Sequence, residues 1–103
     1  GIDIEVLDLR SLKPLDESLL FSSVKKTGRL VIADGGWKTC GIGAEISARI
    51  AESDIFKQLK APISRVSLPD TPAPASSVLE KVYYKKAEDI VVAVKELMEH
   101  DNV

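Results

Sequence analysis

The chain has 103 residues, of which 45% are hydrophobic and 29% are charged, and this composition is typical of one folded domain. Its formal net charge is −2, and acidic and basic residues are interleaved, so no basic field is present to attract nucleic acid. No apolar run approaches the roughly 20 residues of a membrane-spanning helix, and we expect neither nucleic-acid nor membrane partners.

The first third of the chain reads as strand, helix and strand. Apolar and polar residues alternate over 2–9, with several β-branched side chains, which predicts a first strand. A helix is predicted over 16–27, because Asp16 can cap its first turn and Gly28 follows its last. The nearly continuous apolar run over 29–33 is typical of a buried parallel strand.

The middle of the chain continues this alternation. A glycine-rich segment over 34–46 is interpreted as a tight loop that leads into a helix ending near Ala51. Residues 55–59 read as one or two further helical turns, and residues 62–68 as a third strand.

The last part of the chain is rich in proline and then helical. Three prolines within 69–77 predict a stiff extended loop, after which Ser77 is suited to cap a short helix over 78–83. An amphipathic helix is predicted over 87–99, and residues 100–103 are expected to fray. Strands that alternate with helices indicate a three-layer α/β/α fold around a mostly parallel sheet.

The glycine-rich segment resembles a phosphate-binding loop only superficially. Gly41 and Gly43 precede a helix, whose N-terminus can attract an anion. The Gly-Lys-Ser/Thr ending of a nucleoside-triphosphate loop is absent, and Ile46 replaces the third glycine of a dinucleotide loop. We therefore interpret the glycines as allowing a sharp turn and close packing of helix on strand.

The reactive side chains form no recognisable catalytic or metal-binding set. Cys40 is the only cysteine, which favours a reducing compartment, and the only histidine, His100, lies in the terminal tail. No spacing of histidine, cysteine and carboxylate suggests a metal site. Glu45 is expected to complement the helix dipole or to contact another domain. Trp37 either anchors an interface or folds back over its own domain, and the sequence leaves both alternatives open.

Four segments together resemble a known family: 4–16, 24–31, 34–46 and 61–74. The most specific among them is Asp-Gly-Gly-Trp at 34–37 followed by Gly-Ile-Gly-Ala-Glu-Ile at 41–46. In order and spacing these segments are similar to the C-terminal domain of the beta subunit of thiamine-diphosphate-dependent 2-oxo acid dehydrogenases, the transketolase C-terminal-like family. The likeness is greatest to the pyruvate dehydrogenase branch.

The resemblance implies a non-catalytic domain that assembles the enzyme and docks its partners. The parent enzyme would decarboxylate pyruvate on thiamine diphosphate with magnesium and reductively acetylate a lipoyl group, with no cofactor expected on these residues. The implied partners are the alpha subunit, a second beta subunit and the peripheral-subunit-binding domain of dihydrolipoyl acyltransferase. The implied location is intracellular, in a bacterial cytoplasm or the mitochondrial matrix. No residue matches a catalytic position of the family, and the candidate interface residues are Asp34, Gly35, Gly36, Trp37, Gly41, Gly43, Glu45, Pro72 and Pro74.

The resemblance also implies that residues 1–103 are a partial domain, truncated on its N-terminal side and lacking the upstream pyrimidine-binding domain. One of the missing strands of the family's sheet would lie between the strand at 4–9 and the strand at 30–33. Two alternatives stay open. One is a stand-alone domain that binds an organic anion or regulates another protein. The other is the C-terminal domain of another thiamine enzyme, such as a branched-chain 2-oxo acid dehydrogenase, acetoin dehydrogenase or transketolase.

Overall fold

The structure, a computed structural model, describes residues 1–100 as a small parallel sheet covered by helices. The elements follow in this order: α1 (Glu17–Thr27), β1 (Val31–Trp37), α2 (Ile42–Ala51), a 3₁₀ helix (Asp54–Gln58), β2 (Ser64–Leu68), α3 (Ser77–Tyr83) and α4 (Ala87–Glu99). The expectation that the tail frays concerns mainly residues 101–103, which lie outside the described residues.

The helix signals in the sequence are confirmed for α1, α2 and α4. The carboxylate of Asp16 accepts a hydrogen bond from the Leu19 amide at 3.0 Å, and Gly28 ends α1 in the left-handed conformation with φ 74°. The predicted cap of α3 is wrong, because Ser77 is the first helical residue. Ser76 stands at the cap position without a side-chain hydrogen bond, and its carbonyl accepts from the amide of Glu80.

The two strands are parallel and their register contains an irregularity. Ala33 pairs with Val66 and Trp37 pairs with Leu68. Between these two pairs β1 therefore runs four positions along the chain while β2 runs only two. The prediction of a free loop from residue 34 is therefore wrong at its start. Residues 34–36 are a bulged end of β1.

The first predicted strand, over 2–9, does not form. Residues 1–11 contain no strand, and among the described residues β1 and β2 pair only with each other. A cavity of about 370 Å³ lies between this segment and residues 30–33, so the two backbones do not hydrogen-bond to each other as strands. Contacts other than a β ladder hold the segment: Leu9 packs on the core, and Glu5 binds Lys26 at 2.9 Å. Alternation of side chains predicts an amphipathic segment, but a strand also needs a neighbour.

Helices cover both faces of the sheet, which confirms the three-layer α/β/α fold. One face carries the core cluster, in which Ile32 of β1 packs with buried residues of α1 and α2: Leu20, Val24, Ile46 and Ile50. Arg65 lies against α2, and its neighbour Val66 is buried on the opposite face of β2. The helix α4 contacts both strands.

The amphipathic face predicted for α4 is only partly buried. Ala93 and Leu97 are buried, whereas Ile90, Val91 and Met98 are exposed. A sheet of two strands offers too little surface to cover the whole apolar stripe of a helix with 13 residues. Within the described range, none of the helices has the length and apolar character needed to cross a membrane.

Candidate functional site at the glycine-rich corner

The candidate site is the corner where β1 ends and α2 begins, and its centre is a carboxylate. Asp34 is half-buried, and its Oδ1 accepts a hydrogen bond from the Gly36 amide at 3.2 Å. A Cβ atom on Gly36 or Gly41 would lie 3.3 Å from Oδ2 of Asp34. On Gly41 it would also lie 2.3 Å from the backbone oxygen of Trp37, a distance no side chain can accept. The glycines at these positions therefore allow the chain to fold tightly around Asp34.

Gly43 and Gly35 differ in what surrounds them. A Cβ on buried Gly43 would lie 3.1 Å from Cδ of Arg65 and 3.6 Å from Cγ2 of Ile32, so this glycine lets α2 approach the sheet. Gly35 is exposed, with nothing within 4 Å of its Cβ position. The interpretation of the glycines as turn and packing residues holds for Gly41 and Gly43.

Hydrogen bonds from β2 and the loop after it hold the corner in place. The amide and the hydroxyl of Thr39 both donate to the carboxylate of Asp70, at 3.0 and 2.5 Å. Arg65 Nη1 donates to the carbonyl of Lys38 at 2.9 Å, and the amide of Lys38 donates to Leu68 at 3.1 Å. The hydrogen bond from the Thr39 hydroxyl and, to a smaller extent, the one from the Thr39 amide lower the pKa of Asp70 from its ordinary value. Sequence reasoning did not find the Thr39–Asp70 clamp, because no local pattern relates two residues 31 positions apart.

Trp37 contacts its own domain and also remains exposed. Its indole Nε1 donates to the hydroxyl of Tyr83 at 2.9 Å, and that hydroxyl donates to the carbonyl of Thr71 at 2.7 Å. The residue is nevertheless 54% exposed. Tyr83 is buried, and the ring of Tyr84 packs against it edge-on with centroids 5.0 Å apart. The indole N–H is therefore bound to its own domain while about half of the residue stays exposed, and an interface role of Trp37 stays a prediction.

Glu45 lies on the exposed side of α2 and forms an ion pair. Its Oε2 accepts from Nε of Arg49 at 2.7 Å, and Nη1 of Arg49 reaches Glu17 of α1 at 2.9 Å. Glu45 lies in the first turn of α2, where its negative charge complements the helix dipole. It links α2 to α1 and provides no acid–base partner.

The other predicted site residues are dispersed. Cys40 is exposed and has a left-handed backbone with φ 59°, and His100 is exposed at the end of the described chain. Pro72 is exposed and Pro74 is half-buried in the loop after β2. Residues 1–100 contain no group of three or more His, Cys, Asp or Glu side chains placed to hold a metal ion. The corner thus brings together six of the nine candidate interface residues: Asp34, Gly35, Gly36, Trp37, Gly41 and Gly43. The interface role of all nine candidates stays a prediction.

A second feature is the cavity beside β1, which is mainly apolar but contains an unsatisfied donor. Its walls come from residues 2–9, from 29–33 and from α4, including Val94 and Met98. Nε of Arg29, which lines this cavity, is buried and has no hydrogen-bond partner. A buried donor without an acceptor costs about 1–3 kcal/mol, so this wall is suited to an occupant that supplies a carbonyl or carboxylate oxygen.

Comparison with known proteins finds relatives over nearly the whole chain. Residues 1–90 match the family model for the transketolase C-terminal domain. The chain is 46% identical over 98 residues to the mitochondrial pyruvate dehydrogenase E1 component subunit beta of Ascaris suum, covering 95% of this chain and 27% of that protein. For the protein of the same name from Caenorhabditis elegans the identity is 46% over 95 residues, or 92% of this chain and 27% of that one. For that of Mus musculus it is 44% over 98 residues, with coverages of 95% and 27%. The chain spans about a quarter of the length of these curated relatives.

Proposed function

Because this chain belongs to the transketolase C-terminal domain family, we propose that it is the non-catalytic assembly domain of a pyruvate dehydrogenase beta subunit. The observation that carries the proposal is the alignment of 95% of this chain with 27% of a pyruvate dehydrogenase beta subunit at 46% identity. The whole enzyme decarboxylates pyruvate and reductively acetylates a lipoyl group. This domain contributes its folded scaffold and its surfaces.

The side chains of the corner support a structural role. Asp34, Glu45 and Asp70 each bind a group of their own domain, through a glycine amide, an arginine and a threonine. A general acid or base needs to reach a substrate, and these carboxylates are engaged in holding the fold.

We propose that the thiamine diphosphate and magnesium of the parent enzyme are held by other parts of the assembled enzyme, as the family resemblance implies. The partners proposed for this domain are the alpha subunit, a second beta subunit and the peripheral-subunit-binding domain of dihydrolipoyl acyltransferase. The proposed compartment is the mitochondrial matrix, since the relatives named above are mitochondrial proteins.

We also propose that the cavity beside β1 receives a strand from the rest of the beta subunit, so that residues 1–103 are part of a larger domain. Among the described residues β1 pairs only with β2, which leaves its second edge unpaired. The apolar walls of the cavity suit alternate side chains of such a strand, and a carbonyl of its backbone would satisfy Nε of Arg29.

A chimera tests the proposal. The chain replaces the corresponding quarter of the Ascaris suum beta subunit, and the chimera is expressed with the alpha subunit of that enzyme. We expect an assembled complex, in light scattering, that decarboxylates pyruvate, whereas a beta subunit truncated before this quarter does not assemble.

Hydrogen exchange at residues 31–33 should slow in the chimera relative to the isolated chain, because a new strand protects their amides. A chimera that folds but does not assemble would contradict the assembly role. Calorimetric binding of phosphate or pyruvate by the isolated chain would instead favour the anion-binding alternative.

A further inference from the structure

We draw no further inference here: the strongest candidate, the apolar cavity beside β1 with the unsatisfied Nε of Arg29 in its wall, belongs to the site already described, and nothing in the structure indicates an occupant beyond the strand already proposed for it.

Discussion

The replacement of Gly41 by alanine tests whether the corner is as tightly closed as its geometry indicates. The added Cβ would lie 2.3 Å from the backbone oxygen of Trp37, whereas real Cβ atoms essentially never come within 3.0 Å of another heavy atom. Relaxation to an ordinary carbon–oxygen separation of about 3.3 Å requires the backbone to open by about 1 Å. Because the obstacle is backbone, no side-chain rotation can relieve it.

The free energy cost follows from that movement. Overpacking of a closed site costs about 1–3 kcal/mol. Opening the corner also strains the hydrogen bond from the Lys38 amide to Leu68, now 3.1 Å long, which is worth about 1 kcal/mol. We therefore expect Gly41→Ala to reduce the free energy of unfolding by about 2–4 kcal/mol, a large part of the roughly 5–15 kcal/mol of a domain this size.

Two neighbouring glycines serve as matched controls. Gly35→Ala meets nothing within 4 Å and should change the free energy of unfolding by less than about 0.5 kcal/mol. Gly43→Ala meets the flexible Arg65 side chain at 3.1 Å and gains helix propensity of up to about 1 kcal/mol, so its cost should be smaller than that of Gly41→Ala.

Urea unfolding, followed by circular dichroism and by the fluorescence of Trp37, measures all three variants. With a slope of about 1–3 kcal/mol/M, Gly41→Ala should lower the midpoint by about 0.7–4 M. Equal midpoints for Gly41→Ala and Gly35→Ala would refute the reasoning, because both replacements change the unfolded chain alike and only the folded contacts differ.

Three further outcomes follow from single contacts. Asp16→Ala should cost about 0.5–2 kcal/mol in urea unfolding by removing the cap of α1, whereas Ser18→Ala, at an exposed position two residues further on, should change little. The hydrogen bonds from Thr39 lower the pKa of Asp70, so the stability they add is present above its unfolded value near 3.9 and is lost as pH falls through the lower folded pKa. Hydrogen exchange at the Thr39 amide, corrected for intrinsic rates, should therefore accelerate as pH falls below about 4. Asp70→Asn should abolish this pH dependence, and the control Asp3→Asn should leave it unchanged. If Asp70→Asn shows the same pH profile as the original chain, the proposed hold of Asp70 on Thr39 is wrong. Tyr83→Phe should cost about 0.5–1.5 kcal/mol and alter the fluorescence of folded Trp37, and an unchanged spectrum would show that the Tyr83 hydroxyl does not hold the indole.

Several elements of the fold could be predicted because their causes are local. Asp16 and Gly28 bound α1 through contacts within one helical turn, and the prediction of that helix is confirmed to within one residue. The apolar run that begins β1, the periodicity of α2 and that of α4 likewise depend on neighbours a few positions away. The motif at 34–46 also identified the family, which the comparison with known proteins confirms.

Three of the errors share one physical origin, which is that the packing or pairing partners are distant in the sequence. The segment 2–9 has strand-like alternation, but no neighbouring backbone is within reach, and a cavity lies where a ladder would be. The predicted loop at 34–36 is a bulged strand end because β2 continues alongside it as far as Leu68. The apolar face of α4 is partly exposed because the sheet beneath it has only two strands.

The sequence by itself determined the helices, the two paired strands and the family. Each of these depends on residue types and on spacings within about one element of the chain. Only the tertiary structure decided how the corner is held. Asp70 clamps Thr39 across 31 positions, and Tyr83 holds Trp37 across 46, and a hydrogen bond between such residues exists only after the chain has folded. The same folding leaves Trp37 and most of α3 exposed, since the exposure of each side chain depends on what packs against it rather than on its own sequence position.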